Sequence, residues 1–83
     1  MNKVLIKICV PAMGDSFDMF VPADVPIQDV IRVMADGVAE LTNGKYFVSG
    51  MEQLCLKEPN GLLNPSLTLQ DYGILDGMHL YLV

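Results

Sequence analysis

Thr68-Leu69-Gln70-Asp71-Tyr72-Gly73-Ile74-Leu75-Asp76-Gly77-Met78-His79-Leu80-Tyr81-Leu82-Val83 is the stretch on which the fold turns. It holds three local signals in a row. Thr68, or Ser66 just before it, can cap a single helical turn that Gly73 then stops. Asp76-Gly77 is a tight turn that tolerates positive φ. Met78 to Val83 then alternates as a strand, with Leu80 and Leu82 on one side and His79, Tyr81 and Val83 on the other. A strand with one apolar side needs a sheet to enter.

The opposite end of the chain supplies that sheet. Lys3 to Val10 places Val4, Ile6, Ile8 and Val10 on one face and Lys3, Leu5, Lys7 and Cys9 on the other. Unpaired ammonium groups are costly in a core, so the even residues point inward. Pro11 to Ser16 is a turn with Pro to stop pairing and Gly14 to allow positive φ. Phe17 to Val21 returns as a second strand, with Phe17, Met19 and Val21 inward and Asp18 and Phe20 outward. These segments make a hairpin.

Between the two ends lies one long helix. Pro26 suits the first helical turn, and Asp24 is a candidate cap. Ile27, Val30, Ile31, Met34, Val38 and Leu41 form an apolar stripe, and Asn43-Gly44 ends the helix in a left-handed stop. Lys45 to Met51 reads either as a short strand or as a packed loop. Gln53 to Lys57 reads as a strand with Leu54 and Leu56 on one apolar face. Glu58-Pro59-Asn60-Gly61 is a turn, and Leu62-Leu63 a short strand broken by Asn64-Pro65-Ser66.

The order is hairpin, helix, strand, short strand, helical turn, strand. One amphipathic helix can cover the apolar face of such a sheet, and the first and last strands then pair in parallel at its centre. The expected fold is α+β: a ubiquitin-like β-grasp, with a mixed four- or five-stranded sheet and one main helix, spanning residues 1–83 as a single domain. Its core should contain Val4, Ile6, Ile8, Phe17, Met19, Val30, Ile31, Met34, Leu54, Leu56, Ile74, Leu80 and Leu82.

At these residues the chain resembles a known family. Thr68-Leu69, Asp71-Tyr72 and Ile74 resemble the T-L-x-D-Y-x-I pattern of ubiquitin-like tails, and Val21 to Val30 resembles ubiquitin's entry into its helix. Leu63-Asn64-Pro65, then Thr68-Leu69 and Gly73-Ile74 with Asp76-Gly77 before the last strand, is similar to the YukD/EsaB ubiquitin-like proteins of type VII (Esx) secretion loci. The resemblance implies a non-enzymatic protein-binding module that serves the secretion machinery. Ubiquitin and sulfur carriers use a flexible Gly-Gly tail, whereas this sequence stops at Leu82-Val83. Conjugation and sulfur transfer are therefore not expected. The alternative is a carrier activated at its C-terminus by an adenylating enzyme.

Composition bounds the rest. The chain has 83 residues, 52% of them apolar, and a net charge of −5. No Lys/Arg cluster exists to displace phosphate counterions, so nucleic acid is not an expected partner. The acidic balance either keeps an apolar protein soluble or addresses a basic partner. Cys9 and Cys55 lack zinc-ligand spacing, so no metal or other cofactor is expected. The N-terminal apolar run is broken by Lys7, Asp15 and Asp18, which argues against a signal peptide or membrane span. The expected setting is the cytosol, with reduced thiols and recruitment to a membrane only through a protein partner.

His79, the sole histidine, has no ligand or carboxylate partner within sequence reach, and no catalytic pair of carboxylates is evident. Strand parity sends Leu5, Cys9, Phe20, Cys55, Tyr81 and Val83 to the outer sheet face. Either these are scattered exposed residues partly covered by Lys7 and Lys57, or they form one contiguous binding patch. Leu5, Phe20, Cys55, Tyr81 and Val83 are the candidate protein-binding residues. A self-interface in a homo-oligomer is a further use of such a surface or of the sheet edges.

Overall fold

The computed structural model describes residues 2–56 and 61–83. Among these residues four strands form one mixed sheet: β1 (Lys3–Val10), β2 (Asp15–Pro22), β3 (Leu54–Cys55) and β4 (His79–Leu82), in the spatial order β2-β1-β4-β3. β1 and β2 pair antiparallel along their whole length, while β1 and β4 run parallel at the centre. One helix, α1 (Ile27–Leu41), crosses the inner face. This is the expected β-grasp, with four strands among the described residues.

The alternation of lysine and apolar residues in β1 has the predicted effect. Val4, Ile6, Ile8 and Val10 are buried, and they meet Val30, Met34, Ala35 and Val38 of α1 together with Leu80 and Leu82 of β4. Burying a side chain of this kind contributes roughly 1.5–3 kcal/mol, so this cluster is the main source of stability. Phe17, Met19 and Ile31 sit at its margin, partly buried. Leu69, beside the final helical turn, is fully buried, and Leu63 nearly so.

Several local expectations are corrected. Leu41 shares the helical stripe by spacing but is 59% exposed. Leu41 is the last residue of α1, and it lies at the open C-terminal end of the helix beside Thr42, Asn43 and Lys45. The helix starts at Ile27 with Pro26 as its cap residue, and Asp24 makes no capping bond. The first free amides find backbone partners instead: Ile27 N–H donates to the Leu67 carbonyl (2.7 Å) and Gln28 N–H to that of Pro65 (3.0 Å). At the other end Asn43 and Gly44 do take positive φ, and Gly44 N–H reaches back to Ala39 (2.8 Å).

β3 is the largest local departure. The expected strand over Gln53–Lys57 shrinks to Leu54–Cys55, and Leu56 lies at 36% exposure outside the core. The returning segment pairs along the free edge of β3: Leu56 N–H donates to the Gly61 carbonyl (2.9 Å) and Leu63 N–H to that of Leu54 (2.9 Å). Leu63, opposite Leu54 across this pairing, is buried, a core residue that the expected set did not include. Leu62 forms an isolated bridge to Cys55 rather than a strand. The turn expected at Glu58-Pro59-Asn60-Gly61 lies outside the described residues except for Gly61. Lys45 to Met51 contains no strand, which settles it as a loop. The final helical turn, Gln70–Tyr72, is framed by Thr68: its hydroxyl accepts Asp71 N–H while its own N–H donates to the Asp71 carboxylate, each at 3.0 Å.

Candidate functional site

The strand registers lay the outer sheet face out in rungs. Phe20 and Leu5 stand opposite each other on β2 and β1. The next rung on the same face runs Asp18, Lys7, His79. The one after runs Ser16, Cys9, Tyr81, Cys55. Beyond it, Val83 and Gln53 exchange backbone hydrogen bonds of 2.9 and 2.7 Å. Same-face rungs are roughly 6.5–7 Å apart, so the rung of Tyr81 lies about 13–14 Å along the strands from the Leu5–Phe20 rung.

The expected single apolar patch is therefore two apolar spots with a charged rung between them. Phe20 is 65% and Val83 46% exposed, and Leu5 and Tyr81 are half-buried. Lys7 is half-buried too, so its aliphatic stem lies along the sheet between the spots. Cys55 is corrected outright. It occupies the outer side by parity but is 1% exposed, flanked by Tyr81 and Leu62. A short thiol between two larger neighbours offers a partner no surface. No disulfide joins it to Cys9, and β4 runs between them. Beside Tyr81 the face dips into a depression of about 360 Å³ rimmed by Cys9, Pro11, Gly14 and Ser16.

A second surface lies outside the five candidate residues. The Lys45 to Met51 loop displays Phe47 and Met51, the two most exposed large apolar residues described, at 86% and 84%. One carboxylate holds this loop. Glu52 accepts the Tyr46 hydroxyl (2.9 Å), Ser49 N–H (2.8 Å) and Gly50 N–H (3.0 Å). Burial alone would raise the Glu52 carboxyl, but hydrogen bonds from Ser49, its own backbone and Tyr46 together hold it below its ordinary value. Burial, then the bond to Glu52 and its charge, pushes Tyr46 up to about 12. The signal was present as a tyrosine and a glutamate six residues apart, but nothing in the spacing says that they meet.

Next to this loop, Ile31, Met51, Leu54, Leu62, Pro65 and Tyr72 line a cleft of about 590 Å³. Among the described residues no group of three or more His, Cys, Asp or Glu is placed to hold a metal ion. No described helix is long and apolar enough to cross a membrane.

The central parallel pair, the single crossing helix and the short sealed edge strand define a ubiquitin-like domain. The chain belongs to the YukD family of the WXG100 protein secretion system, whose model matches residues 4–82. A comparison with curated protein sequences found no match. Among solved structures, the ubiquitin-like domain of the Mycobacterium tuberculosis type VII secretion protein EccD1 is similar, with TM-score 0.80 and 21% identity over 100% of this chain and 99% of that one. The EccD5 ubiquitin-like domain of Mycobacterium xenopi is also similar, with TM-score 0.81 and 19% identity over 100% and 94%. A chain of the MycP5-free ESX-5 inner membrane complex matches with TM-score 0.72 and 18% identity; this protein is covered fully and that chain to 21%. At these identities the structures speak for the fold, while the family match ties the chain to secretion.

Proposed function

We propose that this protein is a non-enzymatic accessory of a type VII secretion system, working on the cytosolic side and docking through its outer sheet face onto a protein of the secretion machinery. The carrying observation is the family match over residues 4–82. The likeness to a domain of the ESX-5 inner membrane complex supports a place beside a membrane-bound assembly. On the docking face, Tyr81 is the anchor, because it stands on a central strand and combines ring area with a hydroxyl. Leu5 and Phe20 form a second contact and Lys7 a charged rung between the two. Val83 adds apolar area at the far end.

The test is affinity capture with purified wild-type protein and purified cytosolic domains of the secretion proteins encoded at its own locus. Wild type should retain one of them, and Tyr81→Ala should weaken that complex by about 1–3 kcal/mol while staying folded. Full-strength capture by a folded Tyr81→Ala variant would move the site to the helix side or to the Phe47–Met51 loop. Capture of none of these domains would count against the secretion role itself.

A further inference from the structure

β2 has a free edge. Ala23 N–H donates to Asn2 at 2.8 Å, and in an antiparallel ladder every second residue repeats that pattern. Phe17, Met19 and Val21 therefore spend their backbone groups on β1, and those of Ser16, Asp18 and Phe20 point away from the sheet. β1 agrees: its odd residues turn to the other side, where Lys7 N–H reaches Met78 (3.0 Å) and the Leu5 carbonyl receives Gly77 N–H (2.8 Å). Ser16 N–H is taken by the Asp15 carboxylate (2.8 Å). No described group caps the amides of Asp18 and Phe20. Pro22, which has no N–H, ends the open run.

An apolar cleft runs beside that edge. Met19, Val33, Gly37 and Leu41 line it with Asp36 and Glu40, enclosing about 580 Å³. Gly37 lets the Met19 side chain lie against the helix, since a Cβ at this position would come within 2.7 Å of the Met19 terminal methyl. Val33 and Leu41 are exposed along the same side of α1, at a spacing that stacks them above and below Gly37. Open backbone groups and an apolar trough thus lie side by side, as an added strand requires: hydrogen bonds to the edge, and alternate side chains in the trough.

Charge chooses the occupant. Asp15 and Asp18 lie along the edge and Asp36 and Glu40 rim the cleft, four acids against three nearby cations: Lys7, opposite Asp18 on β1, Arg32, which lines a separate depression with Asp36, and Lys45, beyond Leu41 beside Asp15. A second copy of this chain would bring the same acids against these. We infer that the β2 edge and the Met19–Val33–Leu41 cleft accept an extended segment of a partner protein in which apolar residues alternate with lysine or arginine. This surface is separate from the Tyr81 end of the outer face, although Phe20 borders both.

The test uses the intact chain and a fluorescein-labelled hexapeptide of alternating valine and lysine. Binding should shift the Asp18 and Phe20 amide resonances and slow their exchange with solvent. Asp18→Lys, an exposed substitution that leaves the core untouched, should weaken binding about tenfold, as should Glu40→Lys. Tyr81→Ala should leave it unchanged. N-methylation of alternate peptide amides on the pairing side should abolish it. The inference is overturned if the peptide does not bind, or if a valine–glutamate peptide or the N-methylated peptide binds as well. It is likewise overturned if the shifts centre on Tyr81. Concentration-dependent dimerisation that protects Asp18 and Phe20 without peptide would assign the edge to a second copy instead.

Discussion

The hairpin with its helix and the segment from Thr42 to Leu63 are held together by different forces. In the first, two eight-residue strands share an unbroken ladder, and a fifteen-residue helix buries its stripe on them. In the second, regular pairing among the described residues covers two, and the chain there is shaped by Glu52 and by isolated bonds such as Leu63 to Leu54. Burial is non-directional and spread over many side chains, so the first region tolerates the loss of any one polar contact. The second depends on a carboxylate, and its geometry is only as durable as that group's ionisation. Apolar display follows the same division: Phe47 and Met51, in the loop that Glu52 holds, are the most exposed large apolar residues described.

The strongest way to sharpen this contrast is a charge in the first region. Val30→Asp places a carboxylate where exposure is 0%, and it should cost more than about 4 kcal/mol or prevent folding, read by thermal denaturation. Ile31→Asp, at the half-buried margin, should cost clearly less. Equal costs would mean that the stripe is centred on Ile31. Leu80→Ala comes next. It opens a cavity between β4 and α1 worth about 2–5 kcal/mol by chemical denaturation, against a much smaller stability change for Tyr81→Ala on the outer side of the same strand.

Glu52→Gln addresses the second region. The amide cannot replace a charged acceptor, so a loss of about 1–2 kcal/mol is expected, concentrated in raised exchange of the Ser49 and Gly50 amides. Loop protection should also follow pH. The Glu52 carboxyl is depressed in the folded state, so its contribution is present above the ordinary carboxyl pKa and fades as pH falls through the lower folded value. Tyr46 is raised, so its contribution is present below the ordinary phenol range and fades as pH climbs toward about 12. Protection of Ser49 and Gly50 should thus form a plateau across neutral pH with an acid and an alkaline edge, and Glu52→Gln should flatten the acid edge. A loop indifferent to both would break the contrast. The smallest effect belongs to Gly37→Ala. Helix propensity gains up to about 1 kcal/mol, and displacement of the flexible Met19 tip offsets part of it, so Tm should move little.

The sequence by itself determined the fold and the inward face of every long element. Period-two alternation with lysines in β1, the helical stripe in α1 and the Thr68–Gly73 turn each state a local preference, and only one arrangement satisfies them together. What tertiary structure decided lies where the local pattern is short or silent. Leu56 lies outside the core and Leu63 inside it, brought opposite Leu54 by a backbone bond that is invisible in a linear pattern. Cys55 is sealed by Leu62, which reaches it from seven residues on. The candidate patch divides at Lys7 because parity assigns a face but not the rung on which each residue lands. Rung positions come from how β1 and β4 align, a pairing between opposite ends of the chain that only the folded molecule contains.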